Sequence, residues 1–159
     1  MLALTLPFDP IKLPAASEPE KAEIGIVRLL ERCKNDARQS YFIEKLISDP
    51  NGRRFLDGIV GNSRFLGQCI LQDIPFLQQL LAKGPDAVFR EIILSLEPLR
   101  TGDEGQERIM SVLRQARRRI ALLTAIADIT SMWPLNRVTG SLSNFADVAT
   151  NVATAHLLR

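Results

Sequence analysis

The stretch "RRRIALLTAIADITSMWPLNRVTGSLSNFADVA", Arg117 to Ala149, decides the fold class. Its first half continues an apolar stripe that starts at Ile109 and passes through Leu113, Ala116, Ile120, Leu123 and Ala127 to Thr130. The steps alternate between four and three residues, and all but the last position are apolar. Such a stripe lays one side of a helix across a core or against a partner helix. It predicts a long helix over about 103–132, about eight turns at 3.6 residues per turn. Pro134 cannot donate to the helical ladder and disfavours α conformation at Trp133, so the helix ends there. A final helix should run from Pro134 or Leu135 to the C-terminus. A break is expected near Gly140-Ser141, where "SLSNFADVA" makes a fresh helix start.

Upstream, the punctuation also fits helices. Residues 1–16 carry Pro7, Pro10 and Pro14 and predict an extended N-terminal arm. Ser17-Glu18-Pro19-Glu20 has capping-box spacing, and Ile24, Val27, Leu30 and Cys33 follow at steps of three, which predicts a helix over Glu18 to Lys34. Phe42, Ile43, Leu46 and Ile47 predict a second helix over Ala37 to Ser48, ended by a turn at "SDPNG". Shorter helices are expected over Arg53–Val60, Ser63–Gln72, Pro75–Ala82 and Asp86–Leu96, with Ser63 and Asp73 as N-caps. "RTGDEGQ" at 100–106 is the most loop-like interior stretch. No segment sustains a period of two between turns, so no sheet is expected. The chain predicts an all-α, irregular multi-helix bundle. Residues 17–159 form a single helical domain in this reading.

Composition narrows the function. The chain has 159 residues, 46% hydrophobic and 24% charged, which suits one domain with a real core. A net charge of +2 gives no whole-molecule field for nucleic acid or anionic lipid, and 6% aromatics is thin material for base stacking. Nothing approaches the roughly 20 apolar residues that span a bilayer. "MLALTLPFDPIKLP" lacks a basic start and is broken by prolines, so it does not read as a secretory signal. The expectation is a cytoplasmic protein without nucleic-acid or membrane partners. Cys33 and Cys69, without a CxxC, are expected to be buried reduced thiols.

The residues of catalysis are scarce. His156 is the one histidine, and it stands three positions from the chain end. Neither HExxH nor CxxC is present, nor a GxxxxGK[ST] or GxGxxG phosphate loop. Asp103-Glu104, on a glycine-flanked turn, fits solvated cap residues. Gly58, Gly61 and Gly67 follow no strand and form no fingerprint. No catalytic, cofactor-binding or metal-ligating residue is assigned. Arg114, Arg117, Arg118 and Arg119 lie off the apolar stripe and fit a charged outer surface. The sharper alternative is that Arg117 and Arg118 reach a phosphate held by a neighbouring domain, because guanidinium forks suit phosphate oxygens. Asp128 is expected to meet another helix or a helix end, and Trp133 to be a core anchor.

Leu113 to Leu158 resembles the helical run-in of the bifunctional bacterial glutamine synthetase adenylyltransferase/adenylyl-removing enzymes. Arg114, Arg117-Arg118-Arg119, Ile120-Ala121-Leu122-Leu123 and Ala127-Asp128 carry the likeness. Trp133-Pro134-Leu135, Val138-Thr139, Leu142-Ser143 and Phe145-Ala146-Asp147 continue it in order. Upstream, Asn62, Ser63, Phe65, Leu66, Pro75, Phe76 and Leu77 resemble that family's repeat-like element, so the likeness covers about residues 50–159. Arg64 departs from it, standing where the family often has proline.

The resemblance implies a longer parent enzyme with two nucleotidyltransferase halves. One half adenylylates glutamine synthetase from ATP. The other removes AMP by phosphorolysis, releasing ADP, and a PII signalling protein and glutamine set the balance. Magnesium would be held by carboxylates of a domain that follows this helical part and lies outside this chain. The chain would then be a non-catalytic helical part, inactive alone. Leu135, Leu142, Phe145 and Val148 would face the missing neighbour and support self-association through the C-terminal helix. The other reading is a free-standing helical adaptor that binds a protein through the Ile109–Ala127 stripe.

Overall fold

The computed structural model describes residues 6–9, 12–102 and 104–158. It is all-α, and no strand occurs among the described residues. The order is α1 (Pro19–Cys33), α2 (Ala37–Ser48), α3 (Pro50–Val60), α4 (Arg64–Gln72), α5 (Ile74–Lys83), α6 (Pro85–Leu96), a 3₁₀ turn (Glu97–Arg100), α7 (Gln106–Ile129) and α8 (Leu135–Leu157). Helices α1, α2 and α3 pack on one another, as do α6, α7 and α8, and α4 and α5 bridge the two groups. None of these helices is long and apolar enough to cross a membrane.

Capping explains many of the boundaries. The Asp36 carboxylate accepts from the backbone N–H groups of Arg38 and Gln39, and Ser63 accepts from Leu66. Asp73 caps α5 by accepting from Phe76 N–H at 3.2 Å. Pro50 does not end a helix in a turn, as "SDPNG" suggested. Asp49 accepts from Asn51 and Gly52 N–H, and Pro50 sits in the first turn of α3, where its missing donor costs nothing. Ser17 is not a capping-box residue either. Its N–H donates to Asn62 Oδ1 at 2.8 Å and its hydroxyl to the Gly61 carbonyl, while Asn62 Nδ2 donates to the carbonyls of Ala15 and Gly58. One asparagine thus pins the arm to the end of α3. Leu13 is buried, and the Phe8 ring lies 5.2 Å from that of Phe55.

Helix α1 does not bury the whole of its step-of-three apolar run. Ile24 and Val27 are 53% and 51% exposed, whereas Ala22, Gly25, Ile26, Leu29 and Cys33 are buried. Steps of three turn by 300° each, so Ile24, Val27, Leu30 and Cys33 walk halfway around the helix. Ala22, Ile26, Leu29 and Cys33 step by four, three and four and stay on one side. Gly25 lets α3 come close: a Cβ there would lie 1.9 Å from Val60 Cγ1.

The long helix is Gln106–Ile129, shorter at both ends than 103–132; Asp103 lies outside the described residues, and Glu104 pairs with Arg108 at 2.6 Å. Ile109, Ala116, Ile120, Leu123, Ala127 and Thr130 are buried, and Leu122, Thr124 and Ile126 join them. The second half of α7 is therefore enclosed on a wide arc. Ser131 ends it in the left-handed region (φ 57°), and Trp133 N–H returns to the Ala127 carbonyl at 3.1 Å. The backbone thereby turns a corner before Pro134. Helix α8 then runs unbroken past Gly140-Ser141 to Leu157. Val138, Ser141 and Val152 are buried, and Phe145 and Val148 pack partly on the core, a three–four spacing that holds one face inward throughout. That packing offsets the roughly 1 kcal/mol a glycine costs inside a helix.

Arg119 also departs from the outer-surface expectation. Its Nε donates to Asp73 Oδ2 at 2.7 Å, and its guanidinium lies 5.1 Å from the Phe76 ring centroid. Arg114, Arg117 and Arg118 are exposed, as expected. Urea midpoints should rank the three classes of position. Leu123→Ala should cost about 2–5 kcal/mol, Arg119→Ala about 1 kcal/mol, and Arg118→Ala no more than about 0.5 kcal/mol. Equal losses at Leu123 and Arg118 would contradict this burial pattern.

Candidate interaction surfaces

The best-defined polar cluster lies where α6 begins, α7 ends and α8 starts. Gly84 takes φ 79° and Pro85 opens α6, which places Asp86 in the first turn. Trp133 Nε1 donates to Asp86 Oδ2 at 3.1 Å, and Arg137 Nη2 donates to Asp86 Oδ1 at 3.0 Å. The Arg137 guanidinium lies 4.9 Å from the Trp133 ring and 5.7 Å from that of Phe89, and Phe89 meets Trp133 edge-on at 6.0 Å. Trp133 is buried, so it is the core anchor expected. Both Asp86 carboxylate oxygens and the indole N–H find partners inside the chain, which makes the cluster a brace between the three helices.

The sequence-derived candidates do not converge. Arg117 and Arg118 sit on the outer side of α7, and His156 lies half-buried at the far end of α8. Asp128 is exposed, and among the described residues no hydrogen bond or ion pair reaches its carboxylate, so it does not serve the inter-helix role expected of it. Cys33 and Cys69 are buried free thiols. Among the described residues no group of three or more His, Cys, Asp or Glu is placed to hold a cation.

Two surfaces remain. On α8, Leu135 is 71% and Leu142 44% exposed, one heptad apart on the flank beside the buried face. Phe145 and Val148, grouped with them by sequence, turn partly into the core instead. The second surface lies between α1 and α4, where Ile24, Arg28, Arg64 and Gln68 border an open cleft. Sequence reasoning missed it because Ile24 and Val27 entered only as apolar positions that mark a helix, and the cleft exists only where α4 packs beside α1. The Ile109–Ala127 stripe, by contrast, is buried by the chain's own helices except at Leu113, which is partly buried, so an adaptor that binds through it would find little surface there.

Cys69 links the second surface to α7. Burial pushes its thiol above the ordinary value of 9.0, and the charge of Arg118 pulls the other way. The folded chain keeps a proton that the unfolded chain releases, so stability is lost as pH rises above the ordinary thiol value. Urea midpoints should therefore fall between about pH 8 and 10 by more in the native sequence than in Cys69→Ala. Identical falls would place Cys69 in contact with solvent.

The model of the glutamate-ammonia ligase adenylyltransferase family matches residues 54–159. A protein of Bradyrhizobium sp. (strain ORS 278), named bifunctional glutamine synthetase adenylyltransferase/adenylyl-removing enzyme, is 38% identical over 112 residues, 67% of this chain and 11% of its own length. Proteins of the same name from Bradyrhizobium sp. (strain BTAi1 / ATCC BAA-1182) and Rhizobium meliloti (strain 1021) are each 30% identical over 151 residues, covering 92% and 91% of this chain and 15% of their own lengths. The chain thus spans 11–15% of the length of these relatives. No solved structure matches it. Because the family match takes in more than half of the residues and includes α4 to α8, the chain belongs to the glutamate-ammonia ligase adenylyltransferase family.

Proposed function

We propose that this chain is a non-catalytic helical part of a bifunctional cytoplasmic enzyme that adenylylates glutamine synthetase and removes the AMP by phosphorolysis. In this reading residues 17–159 precede a nucleotidyltransferase domain, and the parent enzyme answers to a PII signalling protein in nitrogen regulation. Metal-assisted nucleotidyl transfer needs carboxylates that hold the cation against the phosphates. Magnesium and ATP or ADP would therefore bind in that other domain. The chain's own residues would position it.

The uncovered flank of α8 carries this proposal. Leu135 and Leu142 stand exposed on a helix whose other apolar face is already packed, and exposed apolar surface tends to find a neighbour. In the parent enzyme that neighbour would be the nucleotidyltransferase domain. In the isolated chain it would be a second copy, giving weak self-association. Arg117 and Arg118, exposed on α7, would be free to reach a phosphate held next door.

Two measurements test this. The purified chain, given magnesium, phosphate and adenylylated glutamine synthetase, should release no ADP. Turnover would overturn the non-catalytic assignment. Leu135→Glu with Leu142→Glu should change the urea-derived stability by no more than about 0.5 kcal/mol while abolishing concentration-dependent association in sedimentation. A large loss of stability would show that this flank belongs to the chain's own core.

A further inference from the structure

A second surface, independent of the α8 flank, runs along α4 between α1 and α7. Its centre is a cleft of about 510 Å³ between α1 and α4, floored by Gly25, Leu29, Val60 and Gly67. A shallower cleft continues it past Arg28 to Arg32 and Lys34, opposite Leu71 and Gln72.

The charges here do not balance. Of the residues lining the two clefts, Glu18 and Lys21 pair with each other. That leaves Arg28, Arg32, Lys34 and Arg64 against the single carboxylate of Glu31. Among the described residues none of these four cations has an ion pair. Arg28 and Arg32 stand at i and i+4 on one helix, a like-charge spacing that weakens the helix rather than supporting it. Folding alone does not favour these cations beside exposed Ile24. A ligand that brings both carboxylates and apolar groups would satisfy them together.

We propose that this surface docks an acidic amphipathic helix of a protein partner. Its apolar side would seat on the floor of the α1–α4 cleft and against Ile24, and its carboxylates would meet Arg28, Arg32 and Arg64 along the rims. The cleft is concave and lies between two helices, so it receives a rod better than a flat bilayer. None of the residues that line the two clefts is aromatic, so there is nothing on which a row of bases could stack. Helix α1 has 15 residues, so a docked helix of similar length would run alongside it for about 22 Å. Helix-in-groove recognition of this kind rests on a few apolar anchors, with charge setting orientation and approach.

The test uses the full chain and a fluorescently labelled synthetic helix of about 15 residues, near the minimum for an isolated helix. The helix has leucines on one face and glutamates along its flanks. Its counterpart carries lysines in place of the glutamates. The acidic peptide should bind saturably by fluorescence anisotropy, weaken with added salt and outcompete the basic one. Arg28→Gln with Arg64→Gln should weaken binding by roughly tenfold or more, as should Ile24→Ser, while the exposed Arg90→Gln on α6 should leave it unchanged. Circular dichroism checks that each variant keeps its helices. Four results would overturn the proposal: no binding, equal binding of the basic peptide, undiminished binding by the correctly folded variants, or binding of phosphatidylglycerol vesicles or duplex DNA in preference to the acidic peptide.

Discussion

Three helices are held at fixed angles by one indole. Trp133 sits where α7 ends, its ring buried against Phe89 of α6 and its N–H on Asp86, with Arg137 of α8 closing over it. Apolar burial dominates this corner. Burying an aromatic of this size is worth several kcal/mol, whereas the Asp86–Arg137 pair is substantially exposed and contributes about 1 kcal/mol or less. The hydrogen bonds instead fix the orientation of the ring, and so the direction in which α8 leaves. Ser131 makes the reversal possible by taking a left-handed conformation, and Pro134 starts α8 where a missing amide hydrogen is harmless. The place of the apolar α8 flank on the molecule follows from this corner.

The same corner separates structure from chemistry. The residues around it are engaged with one another through the indole N–H, the Asp86 carboxylate and the stacked Arg137 guanidinium. Arg119 illustrates the economy of the scaffold. It joins α7 to the start of α5 by bonding the carboxylate that also caps α5.

Much of this was legible in the sequence. The long stripe of α7, the new helix start after Pro134, the caps at Ser63 and Asp73 and the buried cysteines follow from periodicity and local chemistry, which act within a few residues; α7 itself ends earlier than Trp133-Pro134, at Ile129. What escaped depends on neighbours distant in sequence. Ala22 and Gly25 look unremarkable until α3 approaches them, and without that approach Ile24 and Val27 seem the better core residues. Three consecutive arginines cannot announce which one will find Asp73, 46 positions away. Asn62 carries no local sign that it will hold Ala15 and Ser17. The α1–α4 cleft was hidden for the same reason: its floor and rims come from segments that only the fold brings together.

Native-state hydrogen exchange on Trp133→Phe tests the dependence of α8 on this corner most directly. The substitution keeps an aromatic ring but removes the indole N–H and part of the buried surface. Amides of α8 and of the last turns of α7 should open at lower free energy than in the native chain, while those of α1, α2 and α3 keep their protection. A uniform loss of protection across all eight helices, or undiminished protection in α8, would contradict the account.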